Sequence, residues 1–483
     1  MTTPQPPKPS FQVRASQLLR IPAVWVVPTA TASVLVLVLT LVYLGSVVDP
    51  TGHLRGLPVT IVNEDAGVTV GSQRINLGQQ VAAGLTGSPA VSSRLSLRST
   101  TLTDAKTRMD VGKDYAAVVI PPDFTASLLS VSGVATPARS STSIPAIQLL
   151  TNPRAGTVGV GLATGVLQPA LGQASRQIGQ RLLPLSTVNG PNPAATALLS
   201  DPVTVAVVPY RPLPSHTGLG LSAFYFALLT IFCGFLGAII VNPSVDAALG
   251  YATTEVGPWW RQRQPVPITR WQTLLTKWIM AVVLTLVLTG ILLGVAIGIL
   301  GMDAPHFGYL WLLSWFAAAT VAIGTLALFA VLGLLGQLIA LLVFIYLSLA
   351  SSGGTVPLQA LSGFFRFLAA FEPLRQILGG VRAILYFDAQ GAAGLTRAWV
   401  ATALGLAFWL LLGTVVTSWY DRRGLYRIQP ELLGYIDRVA RAYMDQHRDR
   451  GAPNEAEPGA VAPAAHDTET SDPTGPAAPP QTP

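Results

Sequence analysis

Residues 309–352 run forty-four positions without an Asp, Glu, Lys, Arg or His. As a single helix this stretch would be roughly 66 Å long, about twice the ~30 Å hydrocarbon core of a bilayer. A run so long and so apolar has to turn back on itself. Gly333, Gly336 and Gln337 stand near its middle. The reading is a tight helical hairpin, with residues 309–332 as one membrane span and 335–352 as the next. Two crossings here fix the side of the membrane on which the rest of the chain lies.

The rest of the chain agrees with a membrane setting. Half of the residues are hydrophobic and 11% are charged, where a soluble protein carries about a quarter. No soluble enzyme class fits this composition. The net charge of +7 does not indicate nucleic acid, because the arginines sit mainly beside apolar runs, where cytoplasmic positive charge is expected. Cys233 is the single cysteine, so neither an internal disulfide nor a cysteine metal cluster can form.

In chain order, residues 1–20 are a cytoplasmic N-terminus. Phe11, Ala15, Leu18 and Leu19 share a helical face there, which suits an interfacial helix or a plain flank. Residues 21–48 form the first span. They exceed a signal-peptide core and lack a small-x-small cleavage site, so they are expected to remain as an anchor. Residues 49–215 are polar, with short β-type runs alternating with helical ones. Strands are expected at 57–62, 95–102, 116–120, 144–150 and 203–208, and helices at 75–85, 104–111, 123–129 and 155–183. This is an α/β or α+β domain, placed extracytoplasmically between helices 1 and 2.

Spans follow at 219–241 and 278–300, joined by a polar cytoplasmic connection, 242–277. That connection carries Trp259, Trp260, Arg261, Arg263 and Arg270. The hairpin comes next. Residues 353–397 are broken by Gly353, Gly354, Pro357 and Pro373, and also carry Glu372 and Arg375; they read as an extracytoplasmic re-entrant or interfacial segment. The last span is 398–419. Residues 420–450 hold a basic amphipathic helix, suited to anionic lipid, a partner or its own protein, and 451–483 are a disordered tail. The sum is an α-helical polytopic protein of the cell membrane with six spans and both termini in the cytoplasm, as the positive-inside rule requires.

No charged residue lies in the core of these six runs, which argues against self-powered proton antiport. There is no phosphate-binding G-x-x-x-x-G-K-[ST] loop, so any ATP has to be hydrolysed by another chain. Gly290, Gly294 and Gly298 recur every four residues and suit close helix packing within the protein, ahead of a subunit interface. The five histidines are scattered without metal-ligand spacing, and no nucleophile elbow occurs. No catalytic, cofactor or metal site is expected on this chain.

Three segments carry a resemblance: Leu57-Pro-Val-Thr-Ile-Val-Asn-Glu-Asp65, Tyr115-Ala-Ala-Val-Val-Ile-Pro-Pro-Asp-Phe124, and Ser352-Gly-Gly-Thr-Val-Pro357 running into Phe371-Glu-Pro-Leu-Arg375. With the order of spans, the chain resembles type-2 ABC exporter permeases. It is most similar to the phage-infection-protein (YhgE/Pip) group and the related yeast nitrosoguanidine-resistance proteins. The resemblance implies a dimeric permease, homomeric or heteromeric, whose cytoplasmic connection meets a separate ATPase. The expected function is the membrane subunit of an exporter for a lipid, peptide or hydrophobic drug. The alternative is a non-transporting scaffold or receptor whose outer domain binds a protein, cell-wall component or phage.

Overall fold

The computed structural model describes residues 20–70, 72–131, 146–186, 200–261 and 263–425, together with Arg427, Gly434 and Arg438. The chain divides into two compact units, Met1–Arg427 and Ile428–Pro483. In the second, Gly434 and Arg438 are helical and Arg438 donates to the Gly434 carbonyl. The helix expected before residue 20, most of the tail helix and the tail itself lie outside the described residues.

Among the described residues, six helices of the first unit are long and apolar enough to cross a membrane. They are α1 (Pro22–Val47), α6 (Ser222–Ala248), α7 (Arg270–Leu293, continued by a π-helical segment Gly294–Ile299), α8 (Phe307–Leu332), α9 (Leu334–Leu341, continued through Leu342–Leu347 and Ser348–Ser351) and α12 (Leu395–Arg422). The 309–352 stretch is therefore two helices. The turn between them is Gly333 alone, at φ 62° and ψ −130°, a conformation open almost only to glycine.

Helix α8 is the axis of the bundle: 67% of its apolar window is buried, against 6% for α1. Its neighbours approach through single glycines. A Cβ on Gly234 of α6 would strike the Ala318 carbonyl and one on Gly336 of α9 the Leu328 carbonyl; between α12 and α7, one on Gly413 would lie 2.6 Å from the Trp278 ring. Gly290, Gly294 and Gly298 do none of this, because a Cβ on each would meet nothing within 4 Å. Their expected packing role inside the chain is thus corrected. The four-residue repeat aligns them on one face, but α7 turns that face away from its neighbours. The Trp278 indole N–H instead ties α7 to the Ile323 carbonyl, and that of Trp315 ties α8 to the Val282 carbonyl, both at 3.1 Å.

Between α1 and α6 lies an α/β domain. Its strands are β1 (Leu57–Asn63), β2 (Val68–Val70), β3 (Gln73–Ile75), β4 (Leu95–Ser99), β5 (Ala116–Ile120), β6 (Ala146–Thr151) and β7 (Thr204–Pro209). Five form a mixed sheet in the order β4-β1-β5-β6-β7, antiparallel only between β5 and β6. All five residues of β5 are buried, because both faces of the sheet are covered. Ala116, Val118 and Ile120 face one core; Ala117 and Val119 face the other. Helices α2 (Leu77–Gly87), α3 (Leu102–Asp110), α4 (Phe124–Val131) and α5 (Thr157–Ser186) complete the domain. The β2–β3 hairpin was not foreseen; its strands are too short for a periodic signal.

The Asn-Glu-Asp turn after β1 has a structural role. The Asp65 carboxylate accepts from the Gly67, Gly78 and Thr125 amides and from the Thr125 hydroxyl, holding the starts of α2 and α4 together.

The domain sits on the broken segment that follows α9. There α10 (Gly363–Leu368) and α11 (Pro373–Tyr386) are joined by a short turn, and α11 is packed into the main core beside α6, α8 and α12. At 14 residues, or about 21 Å, it is too short to cross. Arg154 of the domain donates to the Tyr386 carbonyl and the Arg55 amide to that of Gln359. Gly234→Val is expected to cost ~1–3 kcal/mol by overpacking, and Gly294→Val less than about 0.5 kcal/mol. Denaturation of both variants in detergent measures the contrast.

Candidate functional site

At the bundle end opposite the α/β domain, α6 does not stop at residue 241. It runs through Pro243 to Ala248. Helix α7 likewise begins at Arg270, eight residues before the apolar run. Thr269 caps it by accepting from the Gln272 amide, and the Asp421 carboxylate accepts from the Arg270 and Trp271 amides. These extensions bring charge into the bundle. Asp246 near the end of α6 is 7% exposed and Lys277 in α7 is 6% exposed. The Lys277 ammonium lies 2.8 Å from Asp246 and donates to the Asn242 amide oxygen at 2.7 Å. Arg427, beyond α12, grips the same carboxylate with both terminal nitrogens, at 2.5 and 3.0 Å.

These groups line a cavity of about 580 Å³ between α6, α7, α8, α9 and α12. Its polar wall holds Asn242, Asp246, Arg270, Lys277, Gln337 and Arg427; its apolar wall includes Leu274, Leu326, Phe329 and Leu334. The Arg270 guanidinium donates to the Leu425 carbonyl and lies 5.5 Å over the Tyr420 ring. A pocket so built can hold a ligand that is apolar at one end and anionic at the other.

Among the residues expected to meet a partner, Trp259 and Arg261 lie on a two-stranded hairpin, β8 (Thr254–Val256) and β9 (Trp259–Arg261), and Arg263 follows it. Trp260 shares β9 and pairs with Glu255. Trp259 is 78% exposed, and Arg261 and Arg263 are exposed as well. Arg270 does not belong with them. It begins α7 and is bound to its own chain, which corrects its assignment to the polar connection. Lys277 moves into a span for the same reason. The statement that the spans lack charge therefore holds only for the apolar runs and fails for the helices. Thr269-x-x-Gln272 is a capping-box signal that would have placed the start of α7 correctly. Asn242 and Asp246, one and five residues past an apolar run, carried no such signal, and the proline between them argued for a stop.

A second buried charge lies at the α/β-domain end. Pro373 begins α11, and Glu372 just before it is 4% exposed. Glu372 accepts a 2.5 Å hydrogen bond from the Ser348 hydroxyl near the end of α9. Burial pushes the Glu372 carboxyl up to about 7, against the smaller lowering effect of that hydroxyl. One turn on, Arg375 donates to the Ala369 carbonyl. Arg382 donates to the carbonyl of Gly354, where a Cβ would strike the Phe224 ring, and Gly353 closes on Leu358 at positive φ. Pro357 lies in the same turn, beside Arg382, whereas Glu372, Pro373 and Arg375 stand at the start of α11. Among the described residues no cluster of three or more His, Cys, Asp or Glu is placed to hold a metal ion.

Six apolar helices and an α/β domain inserted after the first define a polytopic membrane protein. The family described as protein of unknown function (DUF3533) matches residues 30–405, and the chain belongs to that family. No curated protein matches the chain.

Asp246→Asn would strand the Lys277 ammonium in a buried site and is expected to cost ~3–5 kcal/mol, read as a lower denaturation midpoint in detergent. For Glu372 the sign runs the other way with pH. Between the ordinary glutamate value near 4.5 and about 7 the folded chain keeps a proton that the unfolded chain releases. Stability therefore falls as pH rises through that window, by on the order of 3 kcal/mol. Glu372→Gln is expected to flatten this dependence; equal slopes in the two proteins would contradict it.

Proposed function

We propose that this chain is the membrane subunit of an exporter in the cell membrane, moving a lipid, peptide or hydrophobic drug with energy from a separate ATPase. The observation that carries the reading is the cavity, which enters a six-span bundle at the end where Trp259 and Arg261 project on a hairpin and exposed Arg263 follows it. In this reading that end is cytoplasmic, the hairpin is where an ATPase docks, and the α/β domain lies on the outer side. The placement keeps Arg261, Arg263, Arg270 and Arg422 inside. ATP enters only through the partner, and the chain itself has no catalytic role. The sparsely covered spans α1, α7 and α12 offer lipid-facing or subunit-facing surface for a dimer. Arg366 and Arg397 stay exposed at the outer end, where the interface rather than an aqueous loop accommodates them.

A receptor or scaffold function is the second reading, supported by the α/β domain, whose five-stranded sheet ends in the open edge strand β4. The two part on one experiment. Charge reversal of Arg261 and Arg263 is expected to abolish hydrophobic-drug tolerance and the co-purification of an ATPase, with the chain still in the membrane. Tolerance that survives this change but is lost on deleting the α/β domain would favour the receptor. Absence of both an associated ATPase and any export phenotype would remove the transport reading.

A further inference from the structure

The cavity's charge is unbalanced. Arg270, Lys277 and Arg427 line it, and among the described residues that line it the only carboxylate is Asp246. That carboxylate is already shared by Lys277 and Arg427. Asp421 accepts from the two α7 amides with its oxygens, and its negative charge lies beside Arg270. Arg270 has its Nε on a neutral carbonyl and its face on an aromatic ring. With Asp421 counted beside Arg270, the site still holds one positive charge in excess, beside the first turn of α9. Such an arrangement at the end of membrane helices stabilises an anion.

The opposite wall sets the other half of the ligand. Leu274 and Leu326 are buried and Phe329 is half-buried. Leu334 lines the cavity yet is 84% exposed, so the apolar wall continues out of the bundle. About 580 Å³ is enough for a headgroup and the first part of a chain, within the ~300–1,000 Å³ of small-molecule sites.

We propose that this cavity binds an anionic amphiphile, a phosphate or carboxylate headgroup on an acyl chain, as in an acidic phospholipid. Arg270 is the headgroup donor, since its Nε is on the Leu425 carbonyl and a guanidinium meets a phosphate with paired N–H groups. Arg427, held on Asp246 by both terminal nitrogens, adds positive charge to the pocket. Lys277 keeps the pocket positive while Asp246 holds it in place. The assignment deepens the exporter reading by naming the class of cargo that the cavity would admit, and rests on that reading for the cargo role alone.

The test uses the full chain purified in an uncharged detergent and offered phosphatidylglycerol and phosphatidylcholine in equal amounts, with bound lipid counted by native mass spectrometry. Phosphatidylglycerol is expected to be retained at least about fivefold over phosphatidylcholine, since each basic group near an anionic headgroup is worth ~1 kcal/mol. Arg427→Gln should reduce that preference several-fold. Gln337→Glu puts a negative charge on an exposed cavity residue without touching the Asp246 pairs. It should reduce the preference as well, and so keeps the test decisive if Arg427→Gln does not fold. Equal retention of the two lipids, or a preference that survives the substitution in every folded variant, overturns the site. Displacement of the lipid by inorganic phosphate alone overturns the amphiphile and leaves a small-anion pocket. Selective binding without any export phenotype keeps the site and removes only the cargo role.

Discussion

The buried carboxylate of Asp246 holds the domain-distal end of the bundle together. A charge withdrawn from water to this degree persists only if opposite charge and hydrogen bonds replace its hydration. Here the replacement comes from three separated segments: α6 supplies the acid, α7 the lysine, and the chain after α12 the arginine. Apolar contact among membrane helices is weakly directional, because lipid is as good a neighbour as leucine. The ionic cluster is directional, and it fixes how far α6 and α7 extend beyond the apolar layer. The extended ends line the cavity with charged side chains, whereas the middle layer closes through glycine contacts.

Those contacts explain the difference between the buried and the peripheral spans. Where a backbone touches a neighbour through Gly234 or Gly413, replacement by any larger residue forces carbonyls or rings apart. Where α7 presents Gly290, Gly294 and Gly298, there is open space in the single chain. Sequence spacing alone cannot separate the two cases. A repeat of four fixes which residues share a face, while the rotation of the helix, set here by Trp278 and Lys277, decides what that face meets.

Length and pattern were the most legible features of this chain. A forty-four-residue uncharged run can cross only twice, and β1, β5, β6 and β7 lie within two residues of the strand runs that predicted them. Charge at helix ends was the least legible. Apolar runs locate the part of a helix in hydrocarbon, but the helix goes on while its backbone bonds and caps allow. Asp246 and Lys277 were therefore read as loop, although they are the buried polar heart of the cavity. Glu372 was visible only as part of a broken segment. Its burial depends on α11 being seated among α6, α8 and α12, a tertiary event that no local pattern encodes.

Span α9 connects the two charged places. Its first turn, Leu334 and Gln337, lines the cavity, and its last carries Ser348 on the Glu372 carboxyl. Between them Leu342–Leu347 is π-helical. A π segment opens the regular i→i+4 ladder and is the cheapest place for a helix to change its rotation. At either end α9 is tied to groups whose charge matters, the cationic cavity wall and a carboxyl poised near neutrality. An unprotonated Glu372 strengthens its bond to the Ser348 hydroxyl but raises the cost of its own burial. The two effects oppose each other on the same helix, so protonation at one end biases how firmly that end of α9 is held, whereas the Gly333 turn pins the other end to α8.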